Sequence, residues 1–425
     1  MSIATPAMPA KPGTFRVKGI NHKVTFAGVT ILMTYLFAGL PVQVGVLAQL
    51  DLTTAESSRW FFITWMTTGV FSFGLALFTR QPVSVNLSIP VMIFLAGAAG
   101  GFSLPQILGA NLVVGMVAIG LSALKLTEVF SRLVPPQIAL AVFAGSILAF
   151  MVKTTGLAVT DIAVSGPVIG GYLLGLTATR SQLVGVAVAA AVGFVSAVLA
   201  GGAPEIGNSV AMPEMGFSAI EFSPVAIIAL GIPILVLTVG VANIQALALL
   251  RSEGYRVKAD CYGLAAGATT VMNALGGGQA AALGGTAMAV ASDSSAGPAG
   301  YRFWAIVLSS LPVVMVALIA VPVIAIVQDL PLSFTLSIGA LALLPTFRVV
   351  ARKSVTGRVR GGAVTALVVA ALPFQAFGMP MAFWALLAGA VVSVAMEHRT
   401  GFKTRRPGGA AIEQSGQSGT VRPPA

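Results

Sequence analysis

Two apolar stretches of this chain are broken where a membrane-crossing helix would run on, and few architectures accommodate such breaks. The first reads Gln81-Pro82-Val83-Ser84-Val85-Asn86-Leu87-Ser88-Ile89-Pro90 before it turns helical. The second opens with Gly276, Gly277, Gly278 and Gln279, passes Gly284 and Gly285, and ends near Asp293. Backbone groups left unpaired in lipid are costly, so non-helical chain at membrane depth survives only where protein buries it or where it lines a cavity. Interrupted segments at corresponding positions of two halves mark the midplane substrate site of a secondary transporter.

The surrounding chain requires a membrane. Apolar residues make up 56% and charged residues 9%, mean hydropathy is +0.94, and apolar runs recur from about Val24 to Met396. A transmembrane helix takes roughly 20 apolar residues. On that measure the chain divides into spans near 24 to 48, 60 to 79, 84 to 99, 104 to 124, 135 to 154, 162 to 178, 182 to 200, 223 to 250, 262 to 275, 277 to 292, 301 to 327, 332 to 347, 362 to 377 and 380 to 396. The expected fold is therefore an all-α polytopic membrane protein of about 14 transmembrane segments. The broken segments are the third and the tenth, so each is the third of a seven-span half. Seven is odd, and the second half must start from the opposite side, which makes the halves an inverted repeat. The expected division is a tail at 1–23, a first repeat at 24–200, an external loop at 201–222, a second repeat at 223–396 and a disordered tail at 397–425. The residues ahead of the first span lack the apolar core of a cleavable signal, so that span is expected to be retained. The lone Cys261 cannot form an internal disulfide and reads as a packing residue at a helix end.

The net charge of +11 suggests nucleic acid until its placement is considered. Lys11, Arg16, Lys18, Lys23, Arg80, Lys125, Arg132, Arg180, Arg251, Arg256, Lys258 and Arg302 fall before the first span or in alternate loops. Arg348, Arg352, Lys353, Arg358, Arg360, Arg399, Lys403, Arg405 and Arg406 continue the series. The intervening loops carry Asp51, Glu56, Asp161, Glu205, Glu214, Glu221 and Asp329, with only Arg59 and Lys153 as cations. This is the positive-inside bias, and it puts both termini in the cytoplasm of a multi-pass protein, with no nucleic-acid partner.

Within the first break, Val83 to Ile89 alternates apolar and polar with strand period, setting Ser84, Asn86 and Ser88 on one face. Pro90 then suits a first helical turn. A short strand feeding a half-helix is the result, and its natural partner is the small-residue stretch Gly277 to Leu283. Each half-helix would aim free N–H groups and about half a positive charge at the centre, an anion site without a buried cation. Gly/Pro kinks at helix crossings are the plain alternative, but they leave the strand-period alternation unexplained. Ser84, Asn86, Ser88, Gln279 and Thr286 are the expected site-lining residues. Asn243, Gln245 and Gln43 come next, each open to a second reading as interhelical hydrogen-bond glue. No ionisable residue lies at the midplane. Asp293, at the end of the tenth span, is the one candidate for proton coupling, against its reading as a solvated helix end or a partner of Arg302.

Three stretches together carry a resemblance. They are Arg80 to Pro90, the Asn243 region followed by Leu249-Leu250-Arg251-Ser252-Glu253-Gly254-Tyr255, and the Gly-rich tenth span followed by Gly300-Tyr301-Arg302-Phe303-Trp304. In order and spacing they resemble the benzoate:proton symporter family over most of the membrane region. The resemblance implies a uracil-permease-like fold of seven plus seven spans with interleaved core and gate domains, a homodimer, and uptake of an aromatic carboxylate with a proton. Two stretches depart from the family's pattern. Gly277-Gly278-Gln279-Ala280-Ala281-Ala282-Leu283 stands where a His and an Asn are usual, and Asn86-Leu87 where Ala-Trp is usual.

The expected function is secondary active transport of a small organic anion, benzoate or a related aromatic monocarboxylate first, by alternating access in a bacterial inner membrane. A nucleobase or xanthine permease of the same fold would hold its base through carboxylates in the eighth and tenth spans, and these spans offer amides instead. An inorganic-anion transporter shares the dipole-only site, but its sulfate-type members carry a soluble regulatory domain that is lacking here. An ion channel would show unitary currents. His22 and His398 lie outside the spans, and no acidic pair or metal spacing occurs within one, so neither an enzyme nor a metal or cofactor is expected.

Overall fold

The computed structural model describes residues 20–397 other than 51, 99–100, 128–135, 202–212, 214–215, 357–358, 373–374 and 378. Both chain tails, most of the 201–222 loop with Glu205 and Glu214, and Asp51, Arg132 and Arg358 lie outside the described residues. Helices dominate. They are α1 (His22–Leu47), α2 (Thr54–Thr79), α3 (Ile89–Ala98), α4 (Leu104–Ala123), α5 (Pro136–Thr160), α6 (Ile162–Thr179), α7 (Gln182–Gly201) and α8 (Pro224–Ser252). They continue with α9 (Ala259–Gly276), α10 (Gly285–Ser292), α11 (Phe303–Leu318), α12 (Ala320–Gln328), α13 (Leu332–Ser354), α14 (Arg360–Ala371) and α15 (Met381–Val392). Among the described residues, nine helical stretches are long and apolar enough to cross a membrane, and α3, α14 and α15 are shorter apolar helices.

Sequence signals fix where the helices preceding the two breaks begin and end. Thr53 and Glu56 form a capping box at the start of α2, satisfying donors that no helical carbonyl reaches. Arg80 then ends α2 in the left-handed region, at φ 53°. Gly277 does the same for α9 at φ 92°, a conformation glycine adopts without a Cβ penalty. This corrects the expected start of the second break. Gly277 and Gly278 belong to the cap of α9, with the Gly278 N–H on the Asn273 carbonyl at 2.6 Å, and extended chain begins only after them.

Two other expected spans differ for physical reasons. The 301–327 span divides at Ile319 into α11 and α12, because Pro322 has no N–H to offer and its ring crowds the carbonyl one turn back. The 362–377 span ends as helix at Ala371, and Leu372, which precedes Pro373, is extended as residues before proline prefer to be. Beyond it a short hairpin pairs Gln375–Ala376 with Met379–Pro380.

Around the centre, α2 packs on α11 and α4 on α9, while α1 lies along α11 and α4 also meets α8. A second group forms as α14 and α13 pack on α5, α15 on α14, and α6 and α7 against each other and against α13. The broken segments pack within the first group, and α3 reaches from it onto α5 and α15 of the second. Val85–Leu87 (β1) and Ala281–Leu283 (β2) pair antiparallel, with Val85 opposite Leu283, Asn86 opposite Ala282 and Leu87 opposite Ala281. Val83, Val85, Ala281 and Leu283 are buried in one apolar cluster with Leu247, Leu250, Tyr262 and Ala266, which fastens one face of the pair to α8 and α9.

Candidate substrate site

Because β1 and β2 run antiparallel and each leads into its own helix, α3 and α10 leave opposite ends of the pair. Their N-terminal ends face one another across it, about 10 Å apart for three residues at strand rise. The first intrahelical bonds correspond: Met92 N–H to the Ser88 carbonyl at 3.0 Å and Met288 N–H to the Gly284 carbonyl at 2.9 Å. The N–H groups ahead of them have no helical acceptor and concentrate positive partial charge there.

The face away from the apolar cluster carries the polar side chains. Ser84, Asn86 and Ser88 are all buried. The Ser84 hydroxyl donates to the Gly284 carbonyl at 3.4 Å, and Tyr35 of α1 brings its hydroxyl alongside Ser84. Among the described residues, Asn86 Oδ1 and Ser88 Oγ are buried without a protein partner, a condition that costs about 1–3 kcal/mol per group unless something pairs with them. Tyr35 stands edge-on to Trp65, with ring centroids 6.5 Å apart, and Trp65 stacks on Phe61 at 5.1 Å. An aromatic wall therefore adjoins the polar face.

Gln43 belongs to this wall, since its Oε1 accepts from the Trp65 indole at 2.5 Å while its Nε2 is buried without a partner. Asn243 takes a supporting position. Its Oδ1 accepts from the Leu283 N–H at 2.8 Å, made possible by a run of π-helical turns over Val236–Asn243, of the kind that gathers at functional sites. Gln279 lies two residues before β2, its carbonyl held by Asn273 Nδ2 at 2.8 Å and both polar atoms of its side chain buried and unpartnered. Thr286 and Gln245 are exposed, on the packed pair α10 and α8. The structure thus gathers Ser84, Asn86, Gly284 and Tyr35, with Asn243 behind them. Asp293 stands apart and exposed, accepting from the Ser295 N–H at 2.7 Å. Hydrogen bonds from Ser295, and then the charge of Arg302, hold its carboxyl below the usual carboxylate range. Arg302 itself donates to the carbonyls of Ser292 and Gly297 and pairs with Glu253 at 3.8 Å.

Residues on the preceding helices complete the site, and the sequence reading missed them. The Ser72 hydroxyl in α2 donates to the Val85 carbonyl at 2.7 Å and accepts from the Val85 N–H at 3.0 Å. Thr270 in α9 likewise accepts from the Ala281 N–H at 3.0 Å, while its proton is shared between the Ala266 carbonyl at 2.9 Å and the Ala281 carbonyl at 3.3 Å. One hydroxyl therefore clamps the first residue of each strand. Thr67 Oγ1 reaches Asn273 Oδ1 at 2.6 Å and Asn111 reaches the Gly278 carbonyl at 3.4 Å, tying three helices to the approach to β2. The available signal was a row of hydroxyl and amide residues at helical spacing, Thr64, Thr67, Thr68 and Ser72 in α2 and Thr269, Thr270 and Asn273 in α9.

The family model described as benzoate membrane transport protein, BenE, matches residues 20–395. The chain belongs to the benzoate membrane transport protein family. It is accordingly a membrane transporter and not an enzyme. Within reach of that family is the inner membrane protein YdcO of Escherichia coli (strain K12), 24% identical over 349 residues that span 81% of this chain and 88% of YdcO. Among solved structures, the transmembrane domain of the cyanobacterial bicarbonate transporter BicA aligns with TM-score 0.58 at 14% identity, over 86% of this chain and 96% of that domain. The murine anion transporter Slc26a9 in its inward-facing state aligns with TM-score 0.55 at 12% identity, over 90% of this chain and 69% of that one. These likenesses give the BenE-family chain a fold shared with those transporters.

Proposed function

We propose that this chain is a secondary active carrier of a small organic anion, benzoate or a related aromatic monocarboxylate, in a bacterial inner membrane. One observation carries the reading. Two half-helix N-termini oppose each other across a strand pair whose polar face is neutral, and among the described residues of α2, α3, α8, α9 and α10, which carry or adjoin the pair, none near a helix middle is a cation. Together the two ends supply about one positive charge, which suits a monoanion. Asn86 and Ser88 offer hydrogen-bonding atoms with no other partner, and Tyr35 and Trp65 offer a surface for an aromatic ring. The family's name and the bicarbonate-transporter fold support the same class. A carboxylate-lined nucleobase site lacks its residues here, since Asn243 is engaged by Leu283.

Alternating access supplies the mechanism. The matched hydroxyl clamps, left-handed helix ends and first helical bonds support fourteen spans in a seven-plus-seven inverted repeat. The group around α2, α4, α9 and α11 acts as the core domain, and the group around α5, α13 and α14 as the gate. Both termini are cytoplasmic, and a homodimer is the expected assembly. Proton coupling is tested at Asp293, whose exposed and ionised carboxylate supports a capping role more than a relay. Uptake of labelled acids into proteoliposomes checks the whole reading. Benzoate accumulation driven by an inward proton gradient is expected, and uracil uptake without benzoate uptake would overturn it.

A further inference from the structure

Away from the candidate site, a half-open cavity of about 510 Å³ lies where the ends of α4 and α8 meet the start of α9. Among the described residues, three cations from three chain segments line it, Lys125, Arg251 and Lys258, against one carboxylate, Asp260. Two of the cations have an ordinary explanation. Lys125 follows the C-terminus of α4 and Arg251 lies in the last turn of α8, where positive charge complements the helix dipole. Lys258 does not share it. It occupies the N-cap of α9 without making a cap hydrogen bond, and there its charge opposes the positive end of the helix. Two lysine ammonium groups and the N–H donors that open α9 thus converge on one volume, and a phosphate group, which offers several acceptor oxygens to one negative charge, is the partner that turns their repulsion into attraction.

The surroundings select the source of that anion. Leu124 and Leu126 flank Lys125 and are 70% and 39% exposed, and Leu264, one turn beyond Asp260 along α9, is 44% exposed. The cavity therefore opens beside apolar surface at the level where spans end and headgroups begin. A basic head site continuous with an apolar wall has the shape of a phospholipid. We propose that this cavity binds the phosphate headgroup of an anionic phospholipid such as phosphatidylglycerol, separately from the transported substrate. Basic pockets between membrane helices recognise headgroups by this chemistry.

Cys261 lines the same cavity and is the chain's single cysteine, so it reports occupancy directly. The full-length protein is placed in nanodiscs of phosphatidylcholine alone or with phosphatidylglycerol, and the rate of maleimide labelling is followed. A site nine-tenths occupied slows labelling about tenfold, and native mass spectrometry should show phosphatidylglycerol retained. Lys258→Gln, and separately Lys125→Gln, should lose both effects while labelling in phosphatidylcholine and benzoate uptake stay unchanged. Equal labelling rates in the two lipids, or retention undiminished in both variants, would overturn the proposal. Protection by millimolar inorganic phosphate in phosphatidylcholine, with none from phosphatidylglycerol, would overturn the lipid assignment in favour of free phosphate.

Discussion

The two broken segments make the same turn from different materials. The first contributes side chains: Ser84, Asn86 and Ser88 line one face of β1, and Pro90 falls in the opening turn of α3. The second contributes backbone, since Ala282 stands opposite Asn86 and Gly284 and Gly285 open α10. A Cβ on Gly284 would lie 2.4 Å from Ser84 Oγ and 3.1 Å from Asn86 Cβ, whereas one on Gly285 would meet nothing within 4 Å. One strand carries recognition and the other permits the approach that makes recognition possible.

Their packing also differs. The half-helix α3 rests on α5 and α15 of the second group as well as on α1 and α8, while α10 packs on α1, α8 and α11. Under the proposed topology, α3 points outward and α10 toward the cytoplasm.

The sharpest way to break this comparison is to give the second segment a side chain. Gly284→Val should separate the strands and cost about 1–3 kcal/mol by overpacking, read as a lowered melting temperature and lost substrate binding. Gly285→Ala should stay within about 0.5 kcal/mol of the parent. If both variants melt alike, the close approach at Gly284 is not what holds the pair.

Removing the clamps should come next in size. Ser72→Ala strips Val85 of partners for its N–H and carbonyl and Thr270→Val strips Ala281 of the partner for its N–H, at about 1–3 kcal/mol each. Ser72→Thr and Thr270→Ser should restore most of it. Equal losses at the two sites would strengthen the repeat, and a loss at one site alone would count against it.

Much of this was legible in the chain itself, and the limits are instructive. Period-two alternation at Val83–Ile89 identified an extended piece, and the small residues of the tenth segment identified its partner, because both signals are local. Extended pairing is nevertheless confined to three residues on each side, since Pro82 and the cap at Gly277 shorten the strands. The hydroxyls of Ser72 and Thr270 could not be singled out, as serine and threonine in membrane helices usually bond to their own preceding turn, as Thr64 does to Trp60. Only the fold brings those two within reach of another segment. Asn243 had two readings, and its bond to the Leu283 N–H is a contact between segments that spacing alone could not reveal.

A smaller effect is expected at Asn86. Asn86→Ala removes an unpaired acceptor and its amide donor, so stability should change by less than about 1 kcal/mol while benzoate affinity falls about tenfold, or ~1.4 kcal/mol. Unchanged affinity would move recognition off the β1 face.

The smallest effect is expected at Asp293. A carboxyl with a lowered pKa contributes stability above its unfolded value and loses it only as pH falls through the folded one. Across about pH 5 to 8 the group therefore stays ionised, and Asp293→Asn should leave both the melting temperature and the pH profile of uptake in place. A variant that retains counterflow exchange but loses proton-driven uptake would instead make this carboxylate the coupling residue.

The central claim is that two opposed helix ends, and no cation, hold the substrate's negative charge. Calorimetric titration of the purified protein with benzoate, benzamide and phthalate tests it most directly. Benzoate should bind at least about tenfold more tightly than benzamide, which keeps the ring and loses the charge. Phthalate, whose second charge goes uncompensated in a low-dielectric site, should bind weakly. Benzamide or phthalate binding as tightly as benzoate would contradict the account.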